Sequence, residues 1–248
     1  MKKTYLKILY EDSDILAIEK PAGIMVHADG KKREIKEETL CDILLRTHPE
    51  IEGVGEPLKL SSGEEISRPG IVHRLDRETS GVMLIARTPE AHSFLKKQFQ
   101  NHEVQKEYRA FVWGKLKPEH GKIDMPLGRS KKDFRQYVRP ARARGEMREA
   151  LTYYDTLHVG VEEGKNISYI KAIPKTGRTH QIRAHFTSIG HPIVCDRLYG
   201  KSFGTALGFD RLALHSFSIR FKNMAGKEVE VGSSLPEDFE TALSLLGS

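Results

Sequence analysis

A polar segment of nine residues leads directly into an apolar run, and this pair of features limits the folds open to the chain. The polar segment is His73-Arg74-Leu75-Asp76-Arg77-Glu78-Thr79-Ser80-Gly81, and the apolar run is Val82-Met83-Leu84-Ile85-Ala86. Such an apolar run is typical of a buried strand. A polar loop fixed to a rigid strand is a common way to hold a reactive side chain in place. We therefore predict a functional loop, with Asp76 as the reactive group and Arg74 as its companion on the substrate.

Patterns on the N-terminal side of this segment predict a hairpin and a short helix. Apolar runs at residues 6–10 and 15–18 flank an acidic turn, which indicates two paired strands. The second strand is predicted to end at a Lys-Pro-Ala-Gly turn, after which residues 24–27 continue in extended form. Thr39 is predicted to cap a helix, with Asp42 as its capping-box partner.

Patterns on the C-terminal side predict a further helix and three strands. Thr88 and Pro89 are predicted to be the N-cap and the first residue of the helix. Residues 104–113 alternate as in a strand that places Tyr108 on a face with small apolar neighbours. Residues 150–157 and 167–173 predict two more strands. Mostly strands with scattered helices indicate an α+β fold with a largely antiparallel sheet.

Composition limits the class of protein and its location. Lys and Arg total 40 against 34 Asp and Glu, which gives a net charge of +6. This modest basic excess fits a polyanionic partner, although many ordinary enzymes carry as much. The two cysteines, Cys41 and Cys195, have no metal-ligand spacing and are predicted to be reduced, buried thiols of a cytoplasmic protein. The N-terminal apolar run is too short for a signal peptide or a membrane span.

A long basic stretch covers residues 114–148 and includes Arg135, Arg139 and Arg142. Phe134 and Tyr137 are interleaved with its charges. Such a stretch can be a simple surface excursion. Its length and its one-sided charge favour a flexible arm that binds phosphates.

A second polar segment, Thr176-Gly177-Arg178-Thr179-His180-Gln181-Ile182-Arg183-Ala184-His185-Phe186, predicts a helix start. Thr179 is predicted to cap this helix, and Gly190 to end it. Arg178, His180 and Arg183 would then cluster at a helix N-terminus, where the backbone also favours anions.

Local chemistry leaves two roles open for Asp76. The neighbouring Arg74 and Arg77 favour the ionised carboxylate, which can act as nucleophile or base. Alternatively, Asp76 only holds Arg74 or caps a turn. The sequence has no second carboxylate in a comparable motif and no glycine-rich phosphate loop, so paired-carboxylate glycosidase chemistry and phosphoryl transfer are disfavoured.

The segment 73–81 resembles the signature of the RluA-type pseudouridine synthases. Other motifs of that family have matches along almost the full length of the chain. The resemblance implies the pseudouridine synthase fold, which is α+β with a mainly antiparallel mixed sheet, flanking helices and a central RNA-binding cleft. It also implies one catalytic domain over residues 1–248, without the small S4 domain of many members. The further matching motifs are Lys20-Pro21-Ala22-Gly23-Ile24-Met25-Val26-His27, Lys106-Glu107-Tyr108, Thr176–Arg183, Asp196-Arg197-Leu198-Tyr199-Gly200 and Leu212-Ala213-Leu214-His215.

The resemblance implies isomerisation of uridine to pseudouridine in RNA, without a cofactor or a metal. Asp76 would attack the nucleoside, by a route through ribose C1′, base C6 or a glycal that stays open. Tyr108 would contact the base and move a proton, and Arg183 would pair with Asp76. Arg74 would fill the gap left by the flipped uridine, because the reacting atoms are reached only after extrusion. The candidate substrate-binding residues are His73, Arg74, Thr79, Arg135, Arg139, Arg178 and His180.

Several alternatives remain open at this point. The RNA is either ribosomal or transfer RNA. A non-catalytic RNA-folding or ribosome-assembly factor on the same scaffold is the main alternative function, and an N-glycoside hydrolase that releases a free base is a third. We expect a monomer that acts in the cytoplasm without contact to a membrane.

Overall fold

The computed structural model describes residues 6–28, 37–59, 63–131, 135–138 and 143–247. Within them, helices alternate with runs of strands. The helices are α1 (Leu40–Thr47), α2 (Pro89–Gln100), α3 (Gln181–Ser188) and α4 (Glu237–Leu246), with a single 3-10 turn described at Pro49–Ile51. The strands are β1 (Lys7–Glu11), β2 (Ile15–Lys20), β3 (Leu58–Lys59), β4 (Glu65–Ile66), β5 (Ser80–Ala86), β6 (Gln105–Trp113), β7 (His120–Asp124), β8 (Leu127–Ser130), β9 (Gln136–Tyr137), β10 (Ala143–Arg148), β11 (Leu151–Glu162), β12 (Lys165–Pro174), β13 (Leu214–Lys222) and β14 (Glu228–Gly232).

The chain divides into two compact units. Unit 1 comprises Met1–Val104 and Ser218–Ser233, and unit 2 comprises Gln105–Phe217 and Ser234–Ser248. Each unit is therefore built from two separate stretches of sequence.

Unit 1 contains the predicted hairpin and the predicted buried strand. β1 pairs antiparallel with β2, and β2 pairs antiparallel with β5 from Ile15 opposite Ala86 to Lys20 opposite Gly81. The Asp12 side chain accepts hydrogen bonds from the Asp14 and Ile15 amides, which forms the acidic turn. Every residue of β5 is buried. The hairpin and the buried strand are thus confirmed.

Both helix starts predicted in unit 1 are confirmed, but the extended stretch before them is not. Thr39 and Asp42 form a reciprocal capping box on α1, and Thr88 caps α2. Residues 24–27 form no strand. Instead, the Met25 and Val26 carbonyls accept from the first amides of α1 at 2.8 and 3.0 Å. Helix amides without an intrahelical partner thereby determine the conformation of this stretch.

Unit 2 contains an antiparallel sheet in the order β6-β12-β11-β7. Its strands cover the runs predicted at 104–113, 150–157 and 167–173, and β11 and β12 extend beyond those runs. Tyr108 and Phe111, on opposite faces of β6, are both buried. The predicted strands and the α+β class are confirmed.

The basic stretch is more regular than the predicted flexible arm. Its described residues include β8, β9 and β10, which pair antiparallel in the order β10-β8-β9. A Cβ on Gly128 would lie 2.6 Å from the Ala143 Cβ, so the glycine permits a close approach of two strands. The loop prediction was wrong here because the many Arg and Gly residues obscured the strand pattern. Arg139 and Arg142 lie outside the described residues.

The start of α3 also differs from the prediction, since Thr179 does not cap it. The N-cap is His180, whose left-handed backbone has φ of 52°, and its side chain makes no capping hydrogen bond. Gly190 follows the helix in a left-handed conformation, in agreement with the predicted end. The two cysteines are reduced and buried, also as predicted. No helix in the described parts of the chain is long and apolar enough to span a membrane.

Candidate active site

The loop that carries Asp76 is bound to β5 in unit 1. Before the loop, the Ala86 amide donates to the Gly70 carbonyl at 2.9 Å. Within it, the Thr79 amide donates to the Asp76 carbonyl at 3.2 Å and closes a turn. Because a fully buried strand holds both ends of this loop, the half-buried Asp76 carboxylate has a defined position.

The ammonium group of Lys20 lies fully buried behind this loop. Lys20 Nζ donates to the carbonyls of Pro21, Ile24 and Arg77 at 2.7, 2.9 and 3.1 Å. The Arg77 Nε donates to the Gly23 carbonyl, and the Gly23 amide donates to the Arg77 carbonyl, each at 2.9 Å. A buried charge is tolerated only when its hydrogen-bonding capacity is used, and three carbonyls match the three donors of an ammonium. Lys20 therefore fixes the residue that follows Asp76.

His73 supports the same loop from its other end. The Leu84 amide donates to His73 Nε2 at 2.9 Å, so the neutral ring carries its proton on Nδ1. The ring also stacks on Phe99 with 4.7 Å between centroids. Thr79 is buried, and its hydroxyl has no hydrogen-bond partner within the described parts of the chain. The contacts of His73 with Leu84 and Phe99 give it a structural function in addition to the substrate contact predicted for it.

Arg74 is exposed and points one guanidinium nitrogen at an imidazole. Its Nη1 lies 3.4 Å from His27 Nε2, while His27 Nδ1 lies 2.7 Å from the Ala28 carbonyl. His27 Nδ1 must donate to that carbonyl, so Nε2 is the acceptor for Arg74. The position of Arg74 is therefore defined on one side by a neutral histidine.

Tyr108 lies on β6 in unit 2, opposite Ala172 of β12. Its side chain is buried, as is that of Ala110, one of the small apolar neighbours that the alternation predicted on the same face of the strand. Lys106 is two residues earlier, so it shares the Tyr108 face of the strand. Its Nζ donates to the Thr176 carbonyl at 3.3 Å. Burial lowers the pKa of Lys106 to about 8, which makes it a readily titrated group beside Tyr108.

Arg183 forms a bidentate ion pair with Asp196 in unit 2. Its Nε and Nη2 donate to the two Asp196 carboxylate oxygens, each at 2.8 Å. Asp196 also accepts from the Leu198 and Tyr199 amides. Burial acts to raise the pKa of the Asp196 carboxyl, but the Arg183 charge and these hydrogen bonds outweigh it and lower that pKa. Asp196 therefore stays ionised and fixes the plane of the Arg183 guanidinium.

A tyrosine links His180 to the basic stretch. The Gln136 amide donates to the Tyr199 hydroxyl at 2.7 Å. That hydroxyl lies 3.1 Å from His180 Nδ1. The Arg135 guanidinium lies over the Tyr137 ring, 5.5 Å from its centroid. Two of the predicted RNA contacts, His180 and Arg135, thus lie in neighbouring parts of unit 2.

The amide side chain of Gln181 holds the start of α3 against β11. Its Oε1 accepts from the Thr176 hydroxyl at 2.7 Å and from the Arg178 amide at 3.0 Å. Its Nε2 donates to the Leu151 carbonyl and the Thr152 hydroxyl, both at 3.0 Å. All four hydrogen-bonding positions of the amide are used, so the segment that carries Arg178 is rigidly placed.

The comparison with known families decides the identity of this fold. The profile of the RNA pseudouridylate synthase family matches residues 14–188, which is most of the chain. The chain belongs to this family. It is therefore an RNA pseudouridine synthase, an isomerase that converts uridine in RNA to pseudouridine.

Individual relatives of the RNA pseudouridylate synthase family agree with this assignment. The ribosomal large subunit pseudouridine synthase D of Zymomonas mobilis is 34% identical over 249 residues, which cover 97% of this chain and 73% of the relative. The protein of the same name from Pseudomonas aeruginosa is 36% identical, with 97% and 72% covered. The solved structure of human RNA pseudouridylate synthase domain containing 1 superposes with a TM-score of 0.73 at 26% identity, over 94% of this chain and 84% of that one. The resemblance drawn from the motifs is thus confirmed.

The predicted site residues of this synthase fall into two groups. His73, Arg74, Asp76 and Thr79 lie together in one loop of unit 1. The remaining described ones belong to unit 2, where Arg178 donates to the Glu149 carbonyl at 3.0 Å. The predicted pairing of Arg183 with Asp76 stays a prediction, and Arg139 lies outside the described residues. The members of the second group are Tyr108, Arg135, Arg178, His180 and Arg183.

Four residues that hold the predicted site residues in place were not predicted from the sequence. Lys20 and Gln181 are buried polar groups, and Asp196 and Tyr199 contact Arg183 and His180. All four lie inside motifs that match the synthase family, but their neighbours in sequence reveal only turns and helix starts. The sequence signal that could have identified these residues is a polar side chain within an otherwise apolar segment or a tight turn.

Proposed function

We propose that Asp76 is the carboxylate that attacks the target nucleoside. Uridine and pseudouridine have the same atoms, and isomerisation breaks the N1–C1′ bond, forms a C5–C1′ bond and moves a proton from C5 to solvent while N1 gains one. A carboxylate held in a fixed position can form and release the intermediate of such a rearrangement. The supporting observation is the loop itself, in which Lys20 and His73 restrain both sides of Asp76.

Tyr108 and Arg183 are proposed as its catalytic partners. Tyr108 lies buried on β6 and would contact the base and move a proton. Arg183 would orient the Asp76 carboxylate toward the nucleoside. Asp196 holds Nε and Nη2 of Arg183 and thereby fixes the plane of the guanidinium that is proposed to act on Asp76.

The residues proposed to contact RNA have two functions. Some act at the flipped uridine, and others bind the phosphate backbone of the RNA. Arg74 would occupy the place of the flipped uridine, at an extrusion cost of a few kcal/mol. His73 and Thr79 are proposed to contact the substrate beside it. Because two relatives are named for the large ribosomal subunit, we propose ribosomal RNA as the substrate. Backbone contacts are assigned to Arg135, Arg139, Arg178 and His180, whose positive or hydrogen-bonding groups suit phosphates.

The test replaces Asp76 with asparagine, which keeps size and removes the charge. Unmodified ribosomal RNA is incubated with the wild type or with Asp76→Asn, and pseudouridine is mapped along it. We expect site-specific pseudouridine with the wild type and none with Asp76→Asn, while both bind RNA with similar affinity. Asp124→Asn is the matched control, since that side chain is 63% exposed in a surface pair with Lys122. Pseudouridine formation by Asp76→Asn would contradict the proposed attack by Asp76. Release of free uracil would indicate hydrolysis instead of isomerisation.

The remaining assignments concern the state in which the synthase works. We propose that residues 1–248 act as a single catalytic domain, as a monomer, in the cytoplasm. Sedimentation at micromolar concentration tests the oligomeric state, and a dimer would contradict it. The non-catalytic RNA-folding alternative is not favoured, because the matched family and the named relatives are synthases.

A further inference from the structure

Unit 1 contains a cavity whose wall includes the proposed substrate-binding residues His73 and Arg74, while its other lining residues have no assigned contact with the substrate. Its volume is about 240 Å³, and it is lined entirely by residues of unit 1. Arg74 forms part of its wall, so it adjoins the residue proposed to replace the flipped uridine. The lining residues that bear on its chemistry are His27, Glu56, Arg68, Arg74, His92 and Lys96.

The electrostatic character of this cavity favours an anion. Arg68, Arg74 and Lys96 each bring a positive charge to the lining. Among the lining residues that the structure describes, Glu56 carries the single carboxylate. Its side chain is 65% exposed and pairs with Lys96 at 2.6 Å. Because the positive charges outnumber this one negative charge, an entering anion gains electrostatic energy.

Arg68 provides a hydrogen-bond donor whose capacity is not fully used. Its Nη2 donates to the Glu56 carbonyl at 3.2 Å. Its Nε is buried and has no hydrogen-bond partner within the described residues. A buried donor of a charged group without an acceptor costs free energy, and a ligand oxygen would remove that cost.

The histidines of the cavity are held by backbone contacts. His92 Nε2 lies 3.3 Å from the Ile71 carbonyl and must donate to it, as His27 Nδ1 donates to Ala28. A Cβ on Gly55 would lie 2.9 Å from His92 Nε2, so the glycine lets the backbone close against that ring. These contacts fix the cavity wall, so binding an anion would require little reorganisation.

We propose that this cavity binds a phosphate group of the substrate RNA strand, close to the nucleotide that Arg74 displaces. The proposal rests on the proposed function of Arg74, and it adds a binding site built from Arg68 and Lys96. A phosphate accepts several hydrogen bonds through its oxygens, which matches the cationic donors of the wall. A neutral base would gain little from these charges.

The first experiment measures how RNA affinity depends on salt in an Asp76→Asn background, so that no turnover occurs. Arg68→Gln should weaken RNA binding roughly tenfold and reduce the slope of log K against log salt by about 1. Lys97→Gln is the matched control, because Lys97 is exposed on the same helix as Lys96 but does not line the cavity. Equal effects of the two substitutions would overturn the proposal, since they would indicate a diffuse positive field.

Glu56→Gln provides a test with the opposite sign. Removing the one carboxylate of the lining should tighten RNA binding severalfold and leave the fold intact, because Glu56 is mostly exposed. Weaker or unchanged RNA binding by Glu56→Gln would contradict an anion site here. This variant keeps the proposal falsifiable even where Arg68→Gln fails to fold.

Inorganic phosphate distinguishes a general anion site from one that needs RNA. We expect millimolar phosphate to shift the imidazole NMR signals of His27 and His92 in the wild type but not in Arg68→Gln. Shifts with both RNA and phosphate, or with RNA alone, support an RNA phosphate site. Absence of shifts with both probes would overturn it. These assays do not measure pseudouridine formation. A negative result for phosphate binding in the cavity is therefore distinguishable from a negative result for catalysis by Asp76.

Discussion

At the scale of single residues, Lys20 is the clearest case of a buried charge that serves the reactive loop. Its ammonium group donates to three carbonyls, one of which belongs to Arg77 beside Asp76. We predict that Lys20→Met lowers the free energy of unfolding by about 2–4 kcal/mol, because the three carbonyls lose their donor in a buried place. Urea denaturation measures this change.

The same substitution should also lower turnover more than RNA affinity. With the Arg77 carbonyl released, the Asp76 loop loses one restraint, while the RNA-binding charges remain in place. Lys7→Met is the control, since Lys7 is 60% exposed on the adjacent strand and should change stability by less than about 0.5 kcal/mol. Equal destabilisation by both substitutions would contradict a specific role of Lys20.

His185 makes the stability of unit 2 depend on pH. The ring is fully buried, donates to the Met125 carbonyl and accepts from the Thr152 hydroxyl. Burial lowers its pKa below 6.5, although the Met125 hydrogen bond and Asp124 act in the opposite direction. As pH falls below about 6.5, the unfolded chain binds a proton that folded His185 still excludes. The free energy of unfolding should therefore fall by up to about 1.4 kcal/mol per pH unit.

Urea titrations of the wild type and His185→Gln between pH 5 and 7.5 check this expectation. In His185→Gln, the free energy of unfolding should lose the part of its pH dependence that comes from the protonation of His185. Substitution of the exposed His120 should leave that pH dependence unchanged. A wild-type stability that does not change below pH 6.5 would contradict a neutral, buried His185.

Neither Lys20 nor His185 was predictable as a supporting residue from its sequence neighbours. The Arg77 carbonyl lies 57 residues from Lys20, and the partners of His185 lie 33 and 60 residues from it. Asp76 and Tyr108 were accessible from sequence because the family resemblance implies a role for each of them, whereas it implies none for Lys20 or His185. The groups that position such residues come from distant segments, so only tertiary structure identifies them.

At the scale of secondary-structure elements, the sequence predicted the helix starts correctly where the capping contacts are made by residues close in sequence. Thr39 and Thr88 cap their helices through residues three positions away. The start of α3 depends on Gln181, which contacts Leu151 and Thr152 on β11. That long-range contact, together with the left-handed His180, replaced the predicted Thr179 cap. The sequence therefore identified the helix but not the way its start is held.

The basic stretch permits a prediction at the same scale. Neutralising Arg135, Arg139 and Arg142 to Gln should reduce the salt slope of RNA binding by about 2 to 3, since each lost phosphate contact contributes about 0.7–0.9. A triple change of the exposed Lys7, Lys59 and Lys227 to Gln removes the same charge elsewhere and serves as the control. If both triple variants lower the slope equally, the stretch has no special role in RNA binding.

At the scale of the whole molecule, the two compact units do not correspond to two continuous halves of the sequence. The chain leaves unit 1 after Val104 and returns to it at Ser218. The return at Ser218 takes place within β13, whose residues 214–217 belong to unit 2 and 218–222 to unit 1. Alternating side chains are typical of a strand, but this periodicity carries no information about which unit each residue joins.

A strand that supplies residues to both units should make their unfolding cooperative. Trp113 is the single tryptophan and lies in unit 2, so its fluorescence reports on that unit. In Cys195→Ser, the remaining thiol is Cys41, which is buried in unit 1. We expect its labelling and the Trp113 fluorescence to follow the same urea transition, because unfolding either end of β13 removes pairing from the other. Two separate midpoints would show independent units and contradict the single catalytic domain proposed for residues 1–248.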